Sequence, residues 1–467
     1  MIKTRKLELA VCTCSFLVCL ILLISHTYND IVITTRHGIN FWNVLLEGKF
    51  LDFYKVSRIA SGNDYYTAVQ GCAYNILVYI VFAVWNLPLY LLERFAGVDV
   101  MNAIPCLVYS KLLVVACTAV TAAILRKLLE ALHVSKEHHS LMVYLYLSST
   151  LLVTVVFLTG QYDILSLPFQ MLGLLAFIKG KDRAFVFWFG IAFCFKYFAA
   201  IIFLPLLLLR HKKAAAWVRN LVMLLVPVLI TKLPFLLYGL LAQTDRGTGG
   251  EALAGRIMTR MLSSSNIGAG INPFFVVYIC LLVWCYLRQE NSSSSGHSGV
   301  WVCMVAYGAF FGLLNAYPYW SILLAPFVVL AIAMEPKHMY INLILETAGY
   351  AGLIVVNMLR YNWVYFGHTL KPMIWSRILE GTRFHIGYGN SRVNEIICQL
   401  NTQGDIHAVV NSVFLGAMIA LAYTTYPARN PSGSQKLQDP RGCCDILLLR
   451  LLINSGICLF PLLAVFI

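Results

Sequence analysis

The chain has 467 residues, 60% of them hydrophobic and only 12% charged, with a formal net charge of +14. A soluble globular chain runs near 45–50% apolar and about 25% charged, so the two to four soluble domains that length alone suggests are excluded. Nucleic acid is not the reason for the positive charge: roughly half of the basic residues sit in short clusters between apolar blocks, the pattern that orients a membrane protein.

Lys3, Arg5 and Lys6 precede an apolar run, Leu7–Ile24, and the residues that follow lack a small-x-small cleavage pattern. The run reads as an uncleaved anchor. Basic residues stay in the cytoplasm, which predicts a cytoplasmic N-terminus and an Asp30 that emerges outside. Further spans are predicted at Asn102–Leu125, Ser140–Leu158, Asp163–Ile178, Ala214–Leu241, Pro273–Leu287, Val300–Leu314, Ser321–Ala333, Tyr340–Leu359, Ala408–Tyr426 and Asp445–Ile467. About 20 apolar residues cross the roughly 30 Å hydrocarbon layer.

Two apolar stretches are interrupted. Tyr74–Leu92 contains Trp85-Asn86-Leu87-Pro88, and Ala184–Leu209 contains Lys196-Tyr197 and Pro205. If each enters and leaves on one side, the basic clusters Arg126/Lys127/Lys136, Lys179/Lys181/Arg183, Arg210/Lys212/Lys213/Arg219, Lys337 and Arg429/Lys436/Arg441 all fall inside. A full crossing of Tyr74–Leu92 puts the first two clusters outside, so the positive-inside rule selects a re-entrant path. The second stretch, about 40 Å long at 1.5 Å per residue, is too short for two crossings and fits a half-depth hairpin. The predicted fold is an all-α polytopic transmembrane bundle of about eleven full spans plus two re-entrant hairpins.

The sequence contains no Walker A motif, no HExxH, no DxD and no Gly-rich dinucleotide loop. An ATP-driven pump and a metalloprotease are therefore not indicated, and no cofactor or metal is implied. Fourteen cysteines are scattered mostly through the spans without zinc spacing and read as small apolar residues.

The chemistry-bearing residues gather in the predicted outer segments. The first, Ser25–Gly71, holds Asn29-Asp30, then Thr34-Thr35-Arg36-His37-Gly38, an amphipathic stretch Ile39–Phe50 suited to the interface, and Leu51-Asp52-Phe53-Tyr54. Tyr74-Asn75-Ile76-Leu77 opens the first interrupted stretch. Farther on come Gly160-Gln161-Tyr162-Asp163, Lys196-Tyr197-Phe198, the basic loop Gln243–Asn272, Asn315-Ala316-Tyr317-Pro318-Tyr319-Trp320, and the last large loop, Tyr361–His407.

This order, over about Leu7–Ala333, resembles the GT-C superfamily of integral membrane glycosyltransferases, most of all the bacterial mannosyltransferase-like members with a Gly-Gln-x-Asp turn. The pattern is diffuse, and the C-terminal third matches nothing specific. The resemblance implies a GT-C-like catalytic module over 1–335, with its first outer loop at 25–71, and a variable C-terminal region over 336–467 with an outer loop at 361–407. It also implies transfer of a hexose from a polyprenyl-phosphate-linked donor to an extracytoplasmic glycan or lipid-linked acceptor. A bacterial plasma membrane is the implied location, with membrane lipids as neighbours and no nucleic acid as partner.

In that superfamily an acidic residue just after the first span sits in the active site, and the matching position is Asp30. A sugar phosphate is a good leaving group, so inverting transfer needs a general base on the acceptor hydroxyl more than an acid on the donor. The plain alternative for Asp30 is a solvated acid that ends a span. Asp163 either caps a helix start or, with Gln161, binds sugar or acceptor hydroxyls. Lys196, a charge between apolar half-segments, either neutralises the donor phosphate or snorkels to the surface. Arg36 and His37 either contact a phosphate or anchor the chain at the interface, Arg256 in the basic loop is a further phosphate candidate, and Asp52 and Asp64 are reserve acids. Tyr319 belongs either to an aromatic belt or to a surface on which sugar or isoprenoid stacks. Competing classes are a polyprenyl-linked glycan flippase or transporter, expected to show inverted repeats, and a glycan ligase or polymerase, which the Tyr361–His407 loop suits.

Overall fold

A computed structural model describes residues 2–59, 74–241, 295–365, 370–374, 392–401, 404–427 and 441–463, with parts of 255–289. Helix α1 (Ile2–Ser25) ends at a short strand β1 (His26–Tyr28), and the chain at once re-enters helix as α2 (Asn29–Leu46). A short α3 (Phe53–Ile59) follows. Asn75 caps α4 (Ile76–Trp85) by accepting from the Leu77 amide at 3.0 Å. The next helix, α5 (Leu87–Ala96), is bent by 61° relative to α4. Pro88 sits in its first turn, where a missing N–H costs least.

Helix α6 (Ile104–Ala131) runs the length of the bundle, and α7 (Lys136–Leu147) returns alongside it. Short α8 (Thr150–Leu152) continues into a π-helical turn, Val153–Leu158. Then come α9 (Leu167–Ile178), α10 (Asp182–Phe195), α11 (Ala199–Arg210) and α12 (Ala214–Leu241). The remainder comprises α13 (Pro273–Leu287), α14 (Ser295–Leu313), α15 (Ala325–Met334), α16 (Met339–Arg360) and the short α17 (Asn362–Tyr365). Strand β2 (Leu370–Pro372), α18 (Arg392–Asn401), α19 (Gly404–Thr424) and α20 (Arg441–Leu463) complete it. Strands β1 and β2 pair antiparallel with Thr27 opposite Lys371, tying the end of the first helix to the segment that follows α17.

The molecule is an all-α integral membrane protein, but the expected eleven full spans are not supported. Among the described residues six helical segments are long and apolar enough to cross a membrane, or seven if the bent α4–α5 pair is one span. Leu9–Ser25, Tyr162–Ile178, Ala199–Arg210, Pro273–Leu287 and Pro318–Met334 are apolar helices of only 10–17 residues. Hydropathy overcounts because a helix sheathed by other helices is as apolar as one facing lipid, and it does not register the turns that shorten it. Burial separates the two environments. The central window of Ser295–Leu313 is 83% buried, whereas that of Ala214–Gly239 is 6% buried and presents Leu229, Ile230 and Leu233 to the surroundings.

The second interrupted stretch ends where it begins. Asp182, at the start of α10, accepts from Arg210 Nε at the end of α11 at 3.0 Å, and Phe185 stacks on Phe203 at 5.1 Å. The two helices are thus antiparallel arms of a hairpin, each about 20 Å long, with Lys196 at the tip. A bend of 61° in α4–α5 does not by itself reverse the chain. Yet Tyr74, at its entry, lies beside Tyr162 and Lys196, and its exit leads to the first turns of α6. Those turns carry Lys111, which binds the last carbonyls of α1. Tyr74, the Lys196 tip and the end of α1 therefore share one end of the bundle. The basic residues around the hairpin base, Lys181, Arg210, Lys212 and Lys213, lie at the other.

Candidate active site

Four segments meet at the end of the bundle where α1 stops. The first is the turn from β1 into α2, which sets Asp30 in the opening turn of a helix, where the macrodipole favours negative charge. The second is the turn after the π-helical segment. Gly160 takes a left-handed φ of 63°, and a Cβ there would stand 3.3 Å from Lys111 Cε, so glycine suits the position on both counts. The Gln161 amide then donates to the Val155 carbonyl at 2.9 Å, which aims the Gln161 side chain across to α2. Its Nε2 donates to Asp30 Oδ2 at 3.0 Å.

The third segment is the hairpin tip. Lys196, in extended backbone between α10 and α11, forms an ion pair with Asp163, and both side chains are more than nine-tenths buried. A charge is costly there unless it is paired. The ammonium is further enclosed by three ring faces, Tyr74 at 5.3 Å, Phe198 at 5.5 Å and Trp320 at 4.8 Å from the centroids, each a cation–π neighbour. Tyr307, whose hydroxyl donates to Gln170 Oε1 at 2.8 Å and lies 3.2 Å from the Phe198 carbonyl, steadies this tip from below. The fourth segment is the aromatic turn ahead of α15. Tyr319 lies 6.4 Å from Tyr28 and stacks on Tyr317 at 5.6 Å, within electrostatic reach of both Asp30 and Asp163.

Of the residues singled out from sequence, Asp30, Gln161, Asp163, Lys196 and Tyr319 come together. Two others are engaged elsewhere. Arg36 donates to both oxygens of Glu93 at 2.6 and 2.8 Å, joining α2 to α5, and is not available as the expected phosphate ligand. His37 is buried and packs edge-on against Tyr79 at 5.5 Å, a core contact between α2 and α4. Both sit on α2 past Asp30, where the helix turns its side chains toward α4 and α5. Asp52 lies against Tyr238 at the end of α12. Asp64 and Arg256 fall outside the described residues. Among the described residues, no group of three His, Cys, Asp or Glu side chains gathers to hold a metal.

Tyr74 and Trp320 join the group around Asp30, each from a motif the sequence shows, Trp320 from the aromatic run that suits a belt or a stacking surface. One contributor, Lys111, was missed. Lys111 had a usable signal, since it is a lone cation inside an otherwise apolar span. It is fully buried, and its Nζ donates to the carbonyls of Leu23 at 3.0 Å, His26 at 2.7 Å and Phe157 at 2.9 Å, with Leu22 at 3.3 Å. It thereby fastens the end of α1, which leads to Asp30, to the turn that leads to Gln161 and Asp163.

Burial pushes the Asp30 carboxyl, just beyond the first span, up to about 6, with the nearby Asp163 adding to the rise and the Gln161 hydrogen bond and Lys196 opposing it. One carboxylate tuned toward neutrality, an adjacent ion pair and an aromatic lining are the parts of a site that takes a proton next to an anionic, partly apolar ligand.

Neither a curated protein nor a solved structure matches the chain. The family model of the EpsG family matches residues 111–373, more than half the chain. That segment carries Lys111, Gln161, Asp163, Lys196, Tyr319 and Trp320, while Asp30 and Tyr74 precede it. The chain belongs to the EpsG family, a family of membrane glycosyltransferase- and polymerase-like proteins.

Proposed function

We propose that this protein is a GT-C-type membrane hexosyltransferase, working at the extracytoplasmic face of a bacterial plasma membrane with its N-terminus inside. It takes its sugar from a polyprenyl-phosphate donor and passes it to a glycan or lipid-linked acceptor. The observation that carries the reading is the meeting of Asp30, held by Gln161, with the buried Asp163–Lys196 pair among the rings of Tyr74, Phe198 and Trp320.

Gln161 occupies Asp30 Oδ2 and leaves Oδ1 for the acceptor hydroxyl. Asp30 removes the hydroxyl proton as the oxygen attacks the anomeric carbon. The bond from that carbon to the phosphate oxygen breaks, its electron pair stays on the phosphate, and polyprenyl phosphate leaves. Lys196 faces the charge that develops on the leaving group, and Asp163 fixes the ammonium in place. Tyr319 and Tyr28 offer ring faces to the sugar. An extracytoplasmic enzyme has no nucleotide sugar available, which is why a lipid-borne donor fits.

The test is transfer of radiolabelled hexose from a panel of polyprenyl-phosphate sugars to membrane-glycan acceptors, by purified protein in lipid. Wild type is expected to transfer, and Asp30→Asn is expected to retain donor binding and lose transfer. Full transfer by Asp30→Asn would move the base to another acid.

Membership of the EpsG family favours a second reading, a glycan polymerase. The donor separates the two: a polymerase elongates a pyrophosphate-linked chain, whereas the reaction above consumes single sugars on a monophosphate. Products that grow by whole repeat units from a pyrophosphate-linked glycan would replace the first reading with the second.

A further inference from the structure

The surroundings of Lys196 are unbalanced in their hydrogen bonding. Trp320 is 6% exposed, yet its indole Nε1 is sealed from solvent and meets no acceptor. Buried polar groups without partners are rare and call for an explanation, because an unmade hydrogen bond costs the group its full desolvation. The position of this one is informative. The indole ring lies 4.8 Å from Lys196 Nζ and 4.5 Å from the Phe198 ring, with Tyr317 edge-on at 5.0 Å. Phe198 and Tyr317 therefore hold the ring while it covers the ammonium.

Lys196 adds to the imbalance. An ammonium has three N–H donors. Asp163 takes up the pairing, and the remaining neighbours are the faces of Tyr74, Phe198 and Trp320, which satisfy charge but accept hydrogen bonds poorly. The Lys196 side of the site thus holds two donors, the ammonium and the unpaired Trp320 N–H, beside the Asp163 carboxylate that pairs with the ammonium. Asp30, within electrostatic reach of Lys196, takes the Gln161 amide on Oδ2 and offers Oδ1 as an acceptor. A ligand complementary to both presents acceptor oxygens carrying negative charge to the first and a hydroxyl to the second.

We infer that Trp320 is a binding residue for the donor phosphate: its indole N–H donates to a phosphate oxygen beside the Lys196 ammonium, so that recognition of the lipid phosphate has two points, one charged and one neutral. The inference rests on the donor reading above. It deepens it in one respect, since a lone ammonium recognises charge, whereas a fixed N–H beside it also recognises the direction of an oxygen and orients the phosphate relative to Asp30.

The experiment is equilibrium binding to the full-length protein in lipid nanodiscs. The probes are polyprenyl phosphate, polyprenyl-phosphate hexose and neutral polyprenol, and the variants are Trp320→Phe and Lys196→Met. Trp320→Phe keeps a ring over the ammonium and removes only the N–H. We expect it to weaken polyprenyl phosphate and polyprenyl-phosphate hexose alike, by about tenfold or more, as for one hydrogen bond to a charged group, and to leave polyprenol unchanged. Equal affinity of wild type and Trp320→Phe for polyprenyl phosphate, with Lys196→Met impaired, overturns the role of Trp320 and leaves the donor reading standing. A loss confined to the sugar-bearing probe assigns the hydrogen bond to the sugar and overturns the phosphate contact. Failure of wild type to bind either phosphate probe removes the donor reading, and this inference with it. Should Trp320→Phe not fold, the indole N–H resonances of the nine tryptophans in 15N-labelled wild type give the answer. A downfield move of one buried indole proton with polyprenyl phosphate but not polyprenol supports the contact; no such move overturns it.

Discussion

A carboxylate that accepts a single side-chain hydrogen bond at one oxygen keeps the other for chemistry, and Asp30 is in that condition. With its carboxyl pushed up to about 6 by burial, it must be ionised to take a proton. Transfer is therefore expected to fall as pH drops through about 6 and to level off above it, and Asp30→Glu to keep the profile at a reduced rate. A rate–pH curve under saturating donor checks this, and a flat curve from pH 5 to 8 would remove Asp30 from the proton transfer. The Asp163–Lys196 pair makes a different kind of prediction. Breaking a buried pair leaves an uncompensated charge, at roughly 3–5 kcal/mol. Asp163→Asn and Lys196→Met should each lower the unfolding temperature. The double variant should recover much of that stability while remaining inactive, because the ammonium is gone. Thermal unfolding in detergent beside a transfer assay reads both.

At the level of elements, Lys111 matters because two secondary structures lack partners without it. Helix ends leave carbonyls unsatisfied, and the π-helical turn adds another at Phe157; one ammonium answers both. Lys111→Met preserves volume but abandons these carbonyls, so a stability loss of about 3 kcal/mol or more is expected. Transfer should also fall, since the positions of Asp30 and of Gln161 are no longer coupled. A decline in kcat larger than the change in donor affinity would mark Lys111 as a positioning residue, and unchanged stability and kcat would dismiss it. The hairpin of α10 and α11 works on the same principle at larger scale. The Asp182–Arg210 contact closes its base and Phe185–Phe203 its middle, which holds Lys196 at the far tip without help from solvent.

Across the whole molecule, a second buried ion pair joins distant parts of the chain. Arg450 of α20 donates to Glu346 Oε1 of α16 at 3.1 Å and, through Nε, to the Ser148 carbonyl after α7 at 2.9 Å. The C-terminal helix is thereby locked to the segment that runs on to Gly160. Arg450→Met is expected to destabilise by roughly 3–5 kcal/mol, and pairing it with Glu346→Leu to restore most of the loss, as a double-mutant cycle in thermal unfolding would show. Orientation is tested at this scale too. Glu47, exposed after α2 at the end that bears Asp30, and Lys213, exposed at the hairpin base, mark opposite ends. In intact cells a membrane-impermeant maleimide should label Glu47→Cys and not Lys213→Cys; the reverse would put the site on the cytoplasmic face.

Membrane class, helical character and the identity of five of the grouped polar or aromatic residues were legible in the sequence. Long apolar blocks leave few other structures, and a charge among them, such as Asp30, Asp163 or Lys196, is too costly to be incidental. Tertiary structure decided the rest. Arg36 found Glu93, more than fifty positions along the chain, and His37 found Tyr79, so neither joins the Asp30–Asp163–Lys196 group. Which apolar blocks are full spans depended on turns inside them and on whether neighbours or lipid cover each helix, which composition does not distinguish. The aromatic cage of Tyr74, Phe198 and Trp320 comes from three separate segments. Each ring stands in a motif visible in the sequence, but only the fold sets one cation among all three.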